Sequence, residues 1–298
     1  MKKIAYYPGC TLKDQALGFE QTAAAALREL GVELVELARW NCCGTVLSLS
    51  ADNLMFHAAP IRNLIRVKEA GFDSVVTLCS MCYNTLKRAN DLVRADREKL
   101  EKLNLFMDTE TTKYAADVKV YHILEYLRDA VGFARVRSAL KRPLEGVKLA
   151  PYYGCLLTRP ETLGFDDVEN PTSLESLIEA MGATAVDHPY RLECCGSYET
   201  VTSPDEVARR AYLIVSSAAA AGARAILTSC PLCLYNLDSR QELARNTHPD
   251  LKEMPVLYLT QPLALSLGLD SALCKFERNR VAPGHVFEKM PSPVGGTP

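Results

Sequence analysis

The chain has no run of apolar residues approaching the roughly 18 that a membrane-spanning helix requires. It also lacks a charge of one sign: 34 basic residues face 36 acidic ones, for a net of -2. Such a balance gives no electrostatic attraction to nucleic acid or to an anionic membrane. The opening MKKIAYYPGC carries two lysines but only a short apolar run before Pro8, which is not the pattern of a secretory signal. The expected location is cytoplasmic, with no transmembrane segment. There is no Walker-type phosphate loop and no HExxH helix. YYPGC and YYGC lack a dinucleotide fingerprint, so no flavin or nicotinamide site is expected on this chain. The ferredoxin run C-x2-C-x2-C-x3-C-P is missing too.

Cysteine, by contrast, is plentiful: the 298 residues include 11. In a reducing compartment these point to metal binding or redox chemistry rather than to structural disulfides. Adjacent cysteines are also badly placed to bridge each other, because the bond would close a small strained ring.

The cysteine positions repeat. Residues 10, 42, 43, 79 and 82 form one set, and 155, 194, 195, 230 and 233 form a second, with offsets between 145 and 152. Cys274 stands alone and reads as a core residue. The flanks agree as well, with NCCG against ECCG and LCSMC against SCPLC. This is an internal duplication.

The segments between cysteines correspond in type. KIAYYPG and VKLAPYYG read as buried strands ending at a glycine. Helical spacing follows each, over Phe19 to Leu30 and over Leu174 to Met181, the second opened by a capping box of Thr172 and Glu175. VELVEL and ATAVDH are strands that run into the CCG segments. Residues 54 to 70 read as a helix disturbed at Pro60, and Ser203, Pro204 and Glu206 open its counterpart. SVVTLCS and AILTSC are strands whose ends carry Cys-x-x-Cys. VKVYHILEYL and PVLYLTQPLAL match as strand-to-helix segments. The charged stretch DLVRADREKLEKLNLF reads as a solvated helix.

Alternating strands and helices predict an α/β fold of two pseudo-symmetric CCG modules, each a small, mostly parallel sheet flanked by helices. The first module spans residues 1–145. The second spans 146–298 and includes an extended C-terminal tail after Gly284, rich in proline and glycine. Every cysteine motif then lies at the carboxyl end of a strand, where open α/β sheets bind ligands.

A Cys-x-x-Cys at a strand end aims two sulfurs at one centre, and the helix amino terminus behind Cys82 or Cys233 favours the thiolate. Structural zinc takes four ligands, as does a cubane 4Fe–4S cluster. Each half offers five, so one cysteine is spare or the centre is larger than a cubane. Gly44 and Gly196 suit a tight turn beside such a centre.

Two copies of Cys-x(31–38)-Cys-Cys-Gly-x(34–35)-Cys-x-x-Cys resemble the paired CCG domains of the heterodisulfide reductase B subunit, over nearly the whole chain. The resemblance implies two noncubane 4Fe–4S clusters. Cys10, Cys42, Cys43, Cys79 and Cys82 would hold one, and Cys155, Cys194, Cys195, Cys230 and Cys233 the other. It implies a disulfide substrate such as CoM-S-S-CoB, or another small-molecule or protein disulfide. The substrate would sit in a cleft between the facing clusters and receive one electron from each. It further implies a complex with two partners, the ferredoxin-like C subunit and the flavin-containing A subunit.

Other candidates carry two readings each. His188 is a candidate proton donor to a departing thiolate, against a plain core role. Lys13, Arg159 and Arg191 are candidates for an anionic substrate group, against ordinary surface charges. Tyr7 and Tyr153 either wall the cleft or pack the core. Two alternative functions stay open. One is a CCG electron-transfer subunit with no disulfide substrate of its own, serving another redox centre. The other is a cysteine-rich zinc scaffold.

Overall fold

The computed structural model describes residues 1–45 and 53–288. Strands β1 (Lys2–Tyr6), β2 (Val32–Glu36), β3 (Ser74–Thr77) and β4 (Lys119–His122) form one sheet in the order β2–β1–β3–β4. Its pairings are parallel; Ala5 lies beside Val35 on one flank and Val75 on the other. Strands β5 (Lys148–Pro151), β6 (Thr184–Ala185), β7 (Ala225–Thr228) and β8 (Val256–Tyr258) repeat that order as β6–β5–β7–β8, again in parallel. The duplication seen in the cysteines is therefore a duplication of topology, and the α/β expectation holds.

The inner strands β1, β3, β5 and β7 are mostly apolar and buried, as strands covered by helices on both faces are, whereas the edge strands β2 and β6 are half-exposed. Helices α1 (Leu17–Glu29), α2 (Ala58–Glu69) and α3 (Ser80–Ala95) link the strands of the first sheet, with α4 (Arg97–Phe106) following α3. Their counterparts are α5 (Ser173–Ala180), α6 (Pro204–Ala220) and α7 (Pro231–Ser239), with α8 (Thr260–Ser266) after β8. In α4 Leu103 is buried, and the rest of the helix is solvated as its charges suggest. In each sheet the chain leaves the first strand to one side and then returns to the other. This leaves a crevice at the carboxyl ends of β1 and β3, and of β5 and β7.

Local details depart from the sequence reading. Pro60 does not disturb a helix; it sits in the first turn of α2, where its missing N–H has no helical carbonyl to meet, after a 3-10 turn over Leu54–His57. The expected capping box at Thr172 does not form. The backbone N–H groups of Thr172 and Ser173 donate instead to the Asp166 carboxylate, at 3.0 and 2.8 Å. A longer-range carboxylate has taken over the cap. Ser203 likewise turns its hydroxyl to Glu199 at 2.8 Å, while Glu206 pairs with Arg209 and Arg210. Pro204 does open α6.

The halves share one apolar core. Phe19 of α1 stacks on Tyr258 of β8, 4.4 Å between ring centroids, and Thr22 meets Thr260 hydroxyl to hydroxyl at 2.7 Å. On the other side, Arg128 donates to the Phe165 carbonyl and to Ser173 at 3.0 and 2.9 Å. At the centre, Ser80 and Ser229 share a 2.9 Å hydrogen bond. The described start of the tail is anchored: Val286 is buried and Phe287 stacks on Phe276. The remainder of the tail, 289–298, lies outside the described residues.

Candidate metal centres

Each quintet is assembled from three strand ends. After β1 the chain passes Tyr7 and Gly9 to Cys10. After β2 it reaches Cys42 and Cys43. After β3, Cys79 caps α3 and Cys82 stands in its first turn. The second module repeats this, with Cys230 capping α7 and Pro231 at the first helical position.

Glycine is required just before the first cysteine of each set. Gly9 has φ +72°, and a Cβ placed there would stand 2.9 Å from the Cys82 sulfur. Gly154 has φ +66°, and its Cβ would stand 3.3 Å from the Cys233 sulfur. An ordinary side chain would intrude on the sulfur and strain the backbone. The glycines of the CCG triplets do a different job. Gly196 turns toward Val207 and Arg210 of α6, and a Cβ on Gly44 would meet Ala59.

Within each quintet the sulfurs interact. Cys43 and Cys82 lie 3.7 Å apart, sulfur to sulfur, and Cys195 and Cys233 lie 3.4 Å apart. Hydrogen bonds from the thiols of Cys42 and Cys82 pull Cys43 down to about 4. Hydrogen bonds from Cys155 and Cys195 pull Cys194 down to about 2, and the Gly196 N–H also points at that sulfur at 3.4 Å. Their partners move the other way: Cys82 is pushed up by its contacts with Cys43 and Cys79 and by burial, and Cys155 by Cys194 and by burial. So many thiols cannot ionise side by side without positive charge among them, and that charge is what metal ions supply. Among the described residues, no three potential ligands meet at a point as around a single ion. In the first module the five sulfurs instead line a hollow. A thiolate-rich hollow with its Cβ-free glycine fits an iron–sulfur cluster held by Cys10, Cys42, Cys43, Cys79 and Cys82. Cys155, Cys194, Cys195, Cys230 and Cys233 stand at the equivalent places in the second module, where Cys195 and Cys233 approach to 3.4 Å.

The hollow is part of a cavity of about 750 Å³ lined by all five first-module cysteines. Its opposite wall comes from the second module: Leu232, Leu234 and Tyr235 of α7, and the segment 277–280. Arg280 and Val281 donate their backbone N–H groups to Asp238, and Arg278 donates to the Asp14 carbonyl at 2.8 Å. No sulfur of the second quintet lines this cavity. The two quintets come closest at their Cys-x-x-Cys motifs, where Ser80, after Cys79, and Ser229, before Cys230, share a hydrogen bond at 2.9 Å.

The other candidate residues lie elsewhere. His188 is buried, its Nε2 donating to the Pro151 carbonyl at 2.9 Å, and burial holds it neutral by lowering its pKa. Lys13 is paired with Glu20 and Glu36, and Arg191 with Asp187 and Glu175. Arg159 is exposed, its backbone tied to Cys155 and Asn84. None of the three lines the cavity. Cys274 is buried, and desolvation pushes it up to about 12.

Tyr153 turns away to Glu175, so it is not the partner of Tyr7. That partner is Tyr152. Tyr7 donates to the carbonyl of Asn41, before Cys42, and Tyr152 to the carbonyl of Glu193, before Cys194. Counting three residues back from Cys10 and Cys155 would have identified both. The segment 277–280 has no counterpart in the duplication and left no such signal.

Residues 4–87 and 149–238 both match the family model for the CCG cysteine-rich domain. The chain is 34% identical over 269 residues to the 8-methylmenaquinol:fumarate reductase membrane anchor subunit of Wolinella succinogenes, covering 90% of this chain and 93% of that one. It is 28% identical to the B subunit of the ferredoxin/F420H2-dependent CoB-CoM heterodisulfide reductase of Methanosarcina acetivorans, with 94% of each covered. It is 29% identical to a protein of Archaeoglobus profundus described as like the heterodisulfide reductase B subunit, covering 94% of this chain and 97% of that one. Among solved structures, a hypothetical protein from Helicobacter pylori shares the fold, with a TM-score of 0.74 at 13% identity. It covers 94% of this chain, which spans 52% of that protein. Among the described residues, no helix is long and apolar enough to cross a membrane. With both modules matched, the chain belongs to the CCG cysteine-rich domain family, as a two-module member whose relatives include the heterodisulfide reductase B subunit.

Proposed function

We propose that this chain is the disulfide-handling subunit of a heterodisulfide reductase-type complex, with a noncubane 4Fe–4S cluster in each quintet. One observation carries the reading: five first-module sulfurs line a cavity of about 750 Å³, within the size range of small-molecule sites. Iron–sulfur clusters supply one-electron steps, and reducing a disulfide takes two electrons and two protons, RSSR + 2e⁻ + 2H⁺ → 2 RSH. The chain's own residues hold the sulfurs and shape the cavity. Leu232 and Leu234 give one wall an apolar face, while Thr11, Gln15 and Arg280 give polar edges. Electrons would come from a ferredoxin-like partner supplied by a flavin-containing one, and CoM-S-S-CoB is one substrate of the proposed class.

A second reading is favoured by the 34% identical fumarate reductase subunit. Here the chain relays electrons to another redox centre and has no disulfide substrate of its own.

Anaerobic purification with metal analysis is the first test. The proposal expects about four iron and four sulfide per module and no stoichiometric zinc. Zinc without sulfide would replace both readings with a scaffold. Adding candidate disulfides to the reduced protein separates the remaining two: reoxidation of the visible absorption supports the first, and no response to any disulfide supports the second.

A further inference from the structure

We infer, resting on the proposed iron–sulfur reading, that the hydroxyls of Thr77 and Thr228 donate hydrogen bonds to cluster sulfur. Each such bond raises the reduction potential of its centre, because a donor at sulfur favours the more negative, reduced form. Thr77 ends β3 and Thr228 ends β7, each two residues before the Cys-x-x-Cys of its module. Both side chains are fully buried, and among the described residues neither hydroxyl has a hydrogen-bond partner. Thr22, Thr85 and Thr260 are buried too, and each donates to a backbone carbonyl. A buried hydroxyl without a partner forfeits its hydration and gains nothing in return. The duplication repeats that deficit at the corresponding residue, so the acceptor is a feature common to both modules.

Strand register carries each hydroxyl to the cysteine side. Tyr6 lies beside Val76, and the Tyr7 N–H continues the ladder to the Val76 carbonyl at 3.0 Å. Tyr7 and Thr77 are therefore neighbours on one face of the sheet. A Cβ on Gly9 would stand 3.6 Å from the Tyr7 ring and 2.9 Å from the Cys82 sulfur, so that ring borders the sulfurs. In the second module Pro151 lies beside Leu227, and the Tyr152 N–H meets the Leu227 carbonyl at 2.9 Å. Thr228 is thus the neighbour of Tyr152. A Cβ on Gly154 would stand 3.7 Å from that ring and 3.3 Å from the Cys233 sulfur. Both tyrosine hydroxyls already donate to carbonyls, so on this face the threonines are the donors without a partner. The backbone stays extended at Cys79 and Cys230, and two-residue alternation places them on the same face as the threonines.

Potentiometric titration of the loaded full-length protein, monitored by electron paramagnetic resonance, tests this. Thr77→Val and Thr228→Val keep the side-chain shape and remove the hydroxyl. Each should lower one of the two midpoints and leave the other unmoved. The expected drop is roughly tenfold in the reduction equilibrium, which for one electron is about 59 mV. Thr77→Ser and Thr228→Ser, which keep the hydroxyl, should hold the parental values.

A midpoint that stays parental in a valine variant overturns the assignment of that hydroxyl and gives it to buried water instead. A drop shared equally by the valine and serine variants overturns it too, because shape rather than the donor would then matter. If a valine variant loses its iron, loading decides. A serine variant with full iron content then supports the donor, and a serine variant that also fails to load overturns it. Parent protein without iron and sulfide sinks the iron–sulfur reading itself, whereas loaded protein with indifferent midpoints sinks this inference alone.

Discussion

The hydroxyl of Tyr7 donates to the carbonyl of Asn41 at 2.9 Å, reaching from the end of β1 to the residue before the cysteine pair. Asn63 donates to the same carbonyl at 2.9 Å. In the second module, Tyr152 reaches Glu193 at 2.7 Å. Both rings are fully buried, so each hydroxyl braces the peptide that positions two sulfurs. Tyr152→Phe keeps the ring and removes the bond, at a cost of about 1–3 kcal/mol for a buried group left unpaired. Tyr7→Phe should cost less, because Asn63 still serves the Asn41 carbonyl. Chemical denaturation should rank them in that order, with iron content falling more in the Tyr152 variant.

Gly9→Ala should disable the first centre. Its Cβ would press on the Cys82 sulfur from a left-handed backbone position. The expected result is an iron-to-protein ratio near half that of the parent, with the second module still loaded. Gly71→Ala is the control: its φ is +80°, but no described atom lies within 4 Å of the added methyl. It should cost about 1–2 kcal/mol of backbone strain and leave iron content unchanged.

Gly18→Ala reverses the usual rule. Alanine in a helix is normally worth about 1 kcal/mol over glycine. At Gly18 the new Cβ would stand 2.2 Å from the Cys274 carbonyl oxygen, where α1 packs against the second module. Backbone cannot yield as a flexible side chain does, so overpacking should cost about 1–3 kcal/mol or more. A variant as stable as the parent in thermal unfolding would contradict this packing.

Acid should destabilise the fold through His122. This ring is fully buried; Nε2 donates to the Leu78 carbonyl at 3.0 Å and Nδ1 accepts from the Leu124 N–H at 3.2 Å. Burial lowers its pKa from 6.5 to about 3. The unfolded chain takes up the proton first, so the stability is present above pH 6.5 and is lost as pH falls toward 3. The slope approaches about 1.4 kcal/mol per pH unit inside that window. Unfolding midpoints of the parent and His122→Asn, compared from pH 7 to pH 5, should converge as pH drops.

Much of the fold was legible in the sequence because the cysteines mark three strand ends per module and repeat. Apolar runs ending at Gly9 and Gly154 gave β1 and β5, and the Cys-x-x-Cys motifs gave the starts of α3 and α7. Local signals failed where a distant group won. Asp166 displaced Thr172 as the cap of α5, and Pro60 lies in the first turn of α2 because the helix starts later than periodicity suggested. Charge near a cysteine in sequence was a poor guide to the cavity. Lys13 and Arg191 are consumed by carboxylates that the fold brings beside them.

The sequence by itself determined that the chain holds two like modules and which ten thiols belong to them, since spacing and flanking residues survive duplication. Tertiary structure alone decided that the modules are not equivalent in access. Tyr83 and Asn84 tie the segment after Cys155 to the first module, and Cys155 and Cys194 are half-buried, whereas Cys10 and Cys42 are exposed beside a cavity that α7 and residues 277–280 wall. Such a tie joins residues about 80 positions apart, and no local pattern encodes it.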